Sequence, residues 1–224
     1  MSKVVDRLLA LIFSEWSLGL VLPLIIGVLI IAFPTVIEDF LATIHISFPE
    51  WLWGGPEVPL QYIITIGITE GILTCAVPIF FGLTWSKWAG GASGFLLSLL
   101  FALSMQAYYS VIPGAWLPTA DWLGLIVGGM LAGYIAGSIM QHYLMRGSKS
   151  FKHILIATIV PVIIVTIFVT QTYIWLSPLF EMGVDGMSYW DNVTFAYFVY
   201  AAIYGVWGLL AAICAKVAFW YKVD

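Results

Sequence analysis

Six runs of apolar residues, each long enough to cross a bilayer as a helix, follow one another with short connections, and they leave this chain little freedom of fold. A hydrocarbon core about 30 Å thick needs about 20 residues of helix at a rise of about 1.5 Å per residue. The runs cover residues 17–37, 62–84, 90–112, 122–144, 153–176 and 194–221. Composition agrees, because 62% of the 224 residues are hydrophobic and only 9% are charged, where a soluble domain carries about 25%. A water-soluble monomer is excluded. With 8 Lys+Arg against 12 Asp+Glu there is also no basic excess to hold nucleic acid. The expected fold is all-α, a polytopic membrane protein whose residues 17–224 form a six-transmembrane-helix bundle.

Residues 1–16 read as an interfacial amphipathic segment. Val4, Val5, Leu8, Leu9, Ile12 and Trp16 follow a helical period, with Lys3, Asp6, Arg7 and Glu15 elsewhere on the turn. The first span has no small-residue cleavage site after a short apolar region, so it reads as a retained helix and not as a removable signal peptide.

Basic residues give the orientation. Six spans put Lys3, Arg7, Lys87, Arg146, Lys149, Lys152, Lys216 and Lys222 on one side, which the positive-inside rule makes cytoplasmic, together with both termini. The opposite connections hold Glu38, Asp39, Glu50, Glu57, Asp121, Glu181, Asp185 and Asp191 and no Lys or Arg. Five or seven spans would break that segregation. Trp51, Trp53, Trp116, Trp122, Trp175 and Trp190 fall at the outer boundary, Trp16, Trp85, Trp88 and Trp220 at the inner one, and Trp207 alone lies at depth. A cell membrane is the expected location. The long outer connection Glu38 to Leu60, rich in Pro and Trp, is expected to fold back on the bundle. Asn192-Val193-Thr194 matches a glycosylation acceptor, a three-residue pattern that also arises by chance.

Helices in lipid associate through close packing that small residues allow. Gly90, Gly94, Ser98 and Ala102 recur every four residues in the third span, as do Gly129, Gly133 and Gly137 in the fourth, and these faces are expected to touch. Gly208 and Ala212, with Ala211 and Ala215, make a similar stripe in the sixth, suited to a neighbouring helix or to a partner subunit. Pro23, Pro78 and Pro161 each remove an amide donor inside a span, and kinks are expected there. Pro78 frees the carbonyl of Thr74, one turn from Glu70.

Glu70 is the one acidic residue within a span, about eight residues or about 12 Å below the outer boundary. No Lys or Arg shares the membrane with it. A lone carboxylate there costs about 2.5 to 3.5 kcal/mol even on a lenient insertion scale, so it must be protonated, reached by water, hydrogen-bonded or neutralised by a cation. On a purely structural reading, weighed against the functional one, a neutral Glu70 hydrogen-bonds to Thr74, Gln106 or Gln171. Gln106, Gln171, Tyr197, Tyr200 and Tyr204 fall at overlapping depth with Glu70, Thr65 and Thr69, beneath an acidic, tryptophan-rich rim. Four helices can thus line a cup open to the outside, whose walls stack a planar solute or hold a cationic one. Glu70, Thr69, Gln106, Gln171, Tyr197, Tyr200 and Tyr204 are the candidate ligand-binding residues. For any single aromatic, an ordinary interface belt explains its place better, and only the shared depth with Glu70 and the glutamines favours the cup.

Other chemistries find less support. Cys75 and Cys214 lie in apolar runs, and His45, His142 and His153 have no second ligand at metal spacing, so no metal and no cofactor is expected. Gly91-Ala92-Ser93-Gly94 is similar to the nucleophile segment of rhomboid proteases, but that chemistry needs a histidine base on the sixth helix, and residues 194–221 contain none. Ser93 reads as packing, and no enzyme is expected.

The layout of residues 62–221 resembles the substrate-capture S components of energy-coupling-factor vitamin transporters. The likeness lies in a Pro-containing second helix (Pro78), the basic turn Ser86-Lys87-Trp88, the glycine ladder Gly90-Gly91-Ala92-Ser93-Gly94, and the segment Trp122 to Gln141 before the basic turn Arg146 to Lys152. The resemblance implies an outward-facing ligand cup, docking to a shared membrane subunit and no ATP site of its own. No phosphate-binding Gly-x-x-x-x-Gly-Lys-Ser/Thr run occurs. The first span offers Gly19 and Gly27 without the family's Ala-x-x-x-Ala docking face.

The expected function is capture or transport of a small solute, cationic or aromatic, through the outer cup. The alternative is a non-catalytic structural or assembly subunit of a larger membrane complex, contacting a partner through Gly208 and Ala212. A channel is disfavoured, because one intramembrane carboxylate gives no relay across the inner half.

Overall fold

A computed structural model describes residues 15–36, 43–47, 57–60, 64–110, 119–180 and 193–221. The elements in chain order are α1 (Glu15–Val36), β1 (His45–Ser47), β2 (Glu57–Pro59), a π-helix (Ile64–Ala76), α2 (Val77–Thr84), α3 (Lys87–Ser110), α4 (Thr119–Met145), α5 (Phe151–Phe180) and α6 (Val193–Tyr221). Among the described residues five helical stretches are long and apolar enough to cross a membrane: Gly67–Thr84, Lys87–Met105, Trp122–Met145, Phe151–Thr172 and Tyr197–Trp220. In α1 the apolar stretch among the residues with described side chains is Val21–Ala32. Of the interfacial segment expected over residues 1–16, residues 1–14 lie outside the described residues, as does Asn192, while Glu15 and Trp16 already belong to α1.

The long first connection departs from the purely helical expectation. It pairs with itself as two short antiparallel strands, with Ile46 opposite Val58 and the Leu60 amide donating to the Ile44 carbonyl at 2.8 Å. The β-branched Ile46 and Val58 suit the pleat, and Pro59 sits at the strand end where a missing donor costs nothing.

The α4 helix lies at the centre, against α2, α3, α5 and the π-helix, while α6 closes the far side against α5, α2 and the π-helix. Its contact with α3 is the most extensive in the bundle, and glycine makes it possible. A Cβ on Gly90 would lie 2.5 Å from the Gly133 carbonyl oxygen and 2.6 Å from the Gly82 Cα. Gly94 stands equally close to the Gly129 carbonyl. The two glycine faces therefore touch backbone to backbone, as their spacing predicted, and Gly82 of α2 joins them. Gly208 and Ala212 are buried, with Val162 and Thr158 of α5 over Gly208, so the same chain covers that stripe.

Pro23 and Pro161 are buried and leave α1 and α5 unbroken. At Pro78 the second span instead changes its hydrogen-bond register, from π to α between Ala76 and Val77. The change falls beside the residue that has no amide to donate. The Thr74 carbonyl faces α4, where a Cβ on Gly129 would lie 3.2 Å from it.

Outward faces are apolar. Leu29, Leu103, Leu123, Ile163, Ile167, Phe198, Val206 and Leu209 are all exposed, a surface that lipid tolerates and water does not. The described basic residues gather at one end. Lys87 starts α3 against Gly137 near the end of α4, and Lys216 of α6 donates to the Lys149 carbonyl at 3.3 Å.

Candidate functional site

The π-helix carries Glu70, and its sequence explains why an ordinary α-helix is easily given up there. Ile64-Thr65-Ile66-Gly67-Ile68-Thr69 and Gly71 combine β-branched residues with two glycines, both poor helix formers. π-Helices are rare, are mostly single-turn insertions, and are frequent at functional sites. This one runs 13 residues.

Contacts with α6 hold it. The Trp207 indole Nε1 donates to the Gly67 carbonyl at 2.7 Å, the Tyr204 hydroxyl donates to Glu70 Oε1 at 2.6 Å, and the Cys75 thiol reaches the Tyr204 carbonyl at 3.5 Å. Gly71 permits this approach, because a Cβ there would collide with the Trp207 indole. Trp207, the one tryptophan at depth in the sequence, thus satisfies a backbone carbonyl of the helix that bears the acid.

Glu70 is 4% exposed and Tyr204 is fully buried. Among the described residues no ion pair reaches the carboxyl group. Tyr204 is its neutral partner, and the ring of Tyr200 lies 5.7 Å from that of Tyr204, tilted by 31°. Tyr197, Tyr200 and Tyr204 fall on one face of α6 at helical spacing. Two turns toward the N-terminal end of α6, the Gln171 side-chain amide of α5 donates to the Tyr197 hydroxyl. The structure therefore places four of the seven candidate residues in two hydrogen-bonded pairs, Glu70 with Tyr204 and Gln171 with Tyr197, and sets Tyr200 beside Tyr204. Thr69 is buried beside Glu70 in the chain. The side chains of Gln106 and Thr65 lie outside the described residues.

Two of the three partners that the purely structural reading offers Glu70 are engaged elsewhere. Thr74 faces α3 instead, where Ser98 donates to its hydroxyl at 3.4 Å, and Gln171 is taken by Tyr197. The carboxyl group is oriented toward α6, so an α6 phenol reaches it first. On α5, Thr170 Oγ1 is buried without a hydrogen-bond partner, although Thr158, Thr166 and Thr172 each donate to the carbonyl four residues earlier. Position alone does not separate Thr170 from these three in the sequence.

Elsewhere, Ser93 is buried and its hydroxyl donates to the Gly90 carbonyl at 2.9 Å, within its own helix. His153 stacks on Tyr143 at 4.1 Å, and its Nδ1 meets the hydroxyls of Ser148 at 2.5 Å and Ser150 at 2.9 Å. Among the described residues no three His, Cys, Asp or Glu side chains group closely enough to share a metal ion.

Comparison of the chain with protein-family models, with curated proteins and with solved structures finds no match. The likeness to energy-coupling-factor S components rests on the sequence layout described above.

Proposed function

We propose that this chain is a six-span protein of a cell membrane, with both termini cytoplasmic, that captures or helps transport a small cationic or aromatic solute entering from the outer face. Glu70 is the charge anchor in this reading, Tyr200 and Tyr204 are the stacking wall, and Gln171 with Tyr197 forms the outer step. The observation that carries it is the Tyr204–Glu70 hydrogen bond on a 13-residue π-helix. A carboxyl group in a span is costly and is retained mainly where it serves a function. Its only described polar partner is a phenol that a solute can displace. The orphaned hydroxyl of Thr170, next to Gln171, is a further group that a polar solute would satisfy.

The test is equilibrium binding to the purified protein in lipid nanodiscs, using a panel of aromatic amines, quaternary ammonium compounds and divalent ions. Saturable binding that Glu70→Gln weakens at least about tenfold, equal to about 1.4 kcal/mol, is the expected result. No binding by any member of the panel, with Glu70→Gln indistinguishable from the parent, overturns it. Recovery of stoichiometric partner chains under that outcome would favour the assembly-subunit reading.

A further inference from the structure

We infer that the basic end of the bundle, formed by the α4–α5 turn and the end of α6, holds the phosphate of an anionic phospholipid from the adjoining leaflet. The inference requires that the bundle sits in a bilayer and is independent of whether Glu70 binds a solute.

The turn is a built structure. Gly147 adopts a φ of 72°, its amide donates to the Leu144 carbonyl at 2.9 Å, and the Ser148 amide reaches back to the Tyr143 carbonyl at 3.0 Å. That is the paired Schellman closure of a helix C-terminus, which needs a residue free to take left-handed backbone. Ser148 and Ser150 then converge on His153, whose ring stacks on Tyr143. The segment presenting Arg146, Lys149 and Lys152 is thereby fixed at both ends.

Lys216 completes the cluster from α6, with its ammonium 3.3 Å from the Lys149 carbonyl. Arg146, Lys149, Lys152 and Lys216 are all exposed. Among the described residues no carboxylate pairs with them. α5 and α6 contain none, and the only acid of α4, Asp121, lies at its opposite end. Four like charges held this way call for an external anion.

The surroundings identify the anion as amphiphilic. Met145 is 81% exposed and Trp220 is 74% exposed, and Phe151 is exposed as well, so apolar side chains flank the cations. A free phosphate has nothing to offer these groups, whereas a phospholipid places its phosphate among the cations and its acyl chains beside Met145, Phe151 and Trp220. Clusters of four or more basic residues at a membrane boundary recognise anionic headgroups, each charge contributing about fivefold in partitioning.

The experiment compares retained lipid, by native mass spectrometry, after the protein is extracted from bilayers containing equal amounts of phosphatidylglycerol and phosphatidylcholine. The expected result is preferential retention of phosphatidylglycerol by about tenfold or more, falling to parity in the Arg146→Gln, Lys149→Gln, Lys152→Gln, Lys216→Gln quadruple variant. Lys216→Gln alone, which leaves the turn untouched, reduces the preference about fivefold. Lys87→Gln, whose ammonium lies 5.7 Å from the ring centroids of both Trp88 and Tyr134, leaves it unchanged. Equal retention of the two lipids by the parent protein overturns the assignment. So does a preference that survives both variants, or one abolished by millimolar inorganic phosphate, which would mark a simple anion site.

Discussion

The Tyr204 hydroxyl donates a 2.6 Å hydrogen bond to Glu70 Oε1, joining a buried phenol of α6 to the only acidic side chain within the apolar spans. The two residues are 134 positions apart in the chain. Each removes the other's need for a partner in a region without bulk water.

Tyr204→Phe is therefore expected to destabilise the folded bundle by about 1 to 3 kcal/mol, because it leaves the Glu70 carboxyl group buried without its donor. Glu70→Gln keeps an acceptor for the phenol and should cost less. Interhelical hydrogen bonds in membranes couple by about 0.6 kcal/mol on average and by up to about 1.7. A double-mutant cycle read by thermal unfolding in nanodiscs should place this pair in that range. Strict additivity would mean that the two side chains do not interact in the folded protein.

Thr170→Val is expected to stabilise the protein, an unusual direction for a fully buried site. Valine keeps the branched shape and removes a hydroxyl that has no partner, which recovers about 1 kcal/mol or more of desolvation cost. Thr158→Val is the matched control. Its hydroxyl donates to the Ile154 carbonyl at 2.9 Å, so the same change forfeits a hydrogen bond. Opposite signs of the unfolding-temperature shift are expected, and a loss of stability for both would show that Thr170 is satisfied in the membrane.

The glycines separate just as sharply. Gly90→Ala places a methyl group against backbone atoms of Gly133 and Gly82, which cannot rotate away, and is expected to cost about 1 to 3 kcal/mol. Gly205→Ala meets nothing within 4 Å and should be neutral or stabilising by about 0.5 to 1 kcal/mol, since alanine is the better helix former. Thermal unfolding of the two single variants tests both signs.

Much of this architecture can be read in the chain because the constraints on it are local. Four-residue glycine spacing in the third and fourth spans specifies a contact face whatever the rest of the bundle does, and α3 and α4 meet there. The depth of Glu70 follows from counting residues along one helix. Its partner does not, because that depends on which way the carboxyl group faces, and the facing is decided by the π register and by Trp207 reaching the Gly67 carbonyl. Nothing in the residue types of Ile64 to Ala76 distinguishes a π-helix from a weak α-helix. The proline after it marks a disturbance, which a periodicity argument reads as a kink. The short strands around Ile46 and Val58 escape notice for a related reason, since three-residue strands lie below the length at which alternation is recognisable.

Orientation in the membrane gives the final prediction. The 27 residues of α4 measure about 40 Å at helical rise, comparable to a bilayer with its headgroups, long enough for its two ends to emerge on opposite sides. Lys149 follows one end and Asp121 lies in the first turn of the other. In a background with Cys75 and Cys214 replaced by serine, a cysteine at position 121 should react with a membrane-impermeant maleimide on intact cells. A cysteine at position 149 should react only after lysis. The positive-inside rule sets this expectation, because Lys87, Lys149 and Lys216 share the end to which residue 149 belongs. The reverse labelling pattern would put Glu70 nearer the cytoplasmic face and remove the basis for a solute site that opens outward.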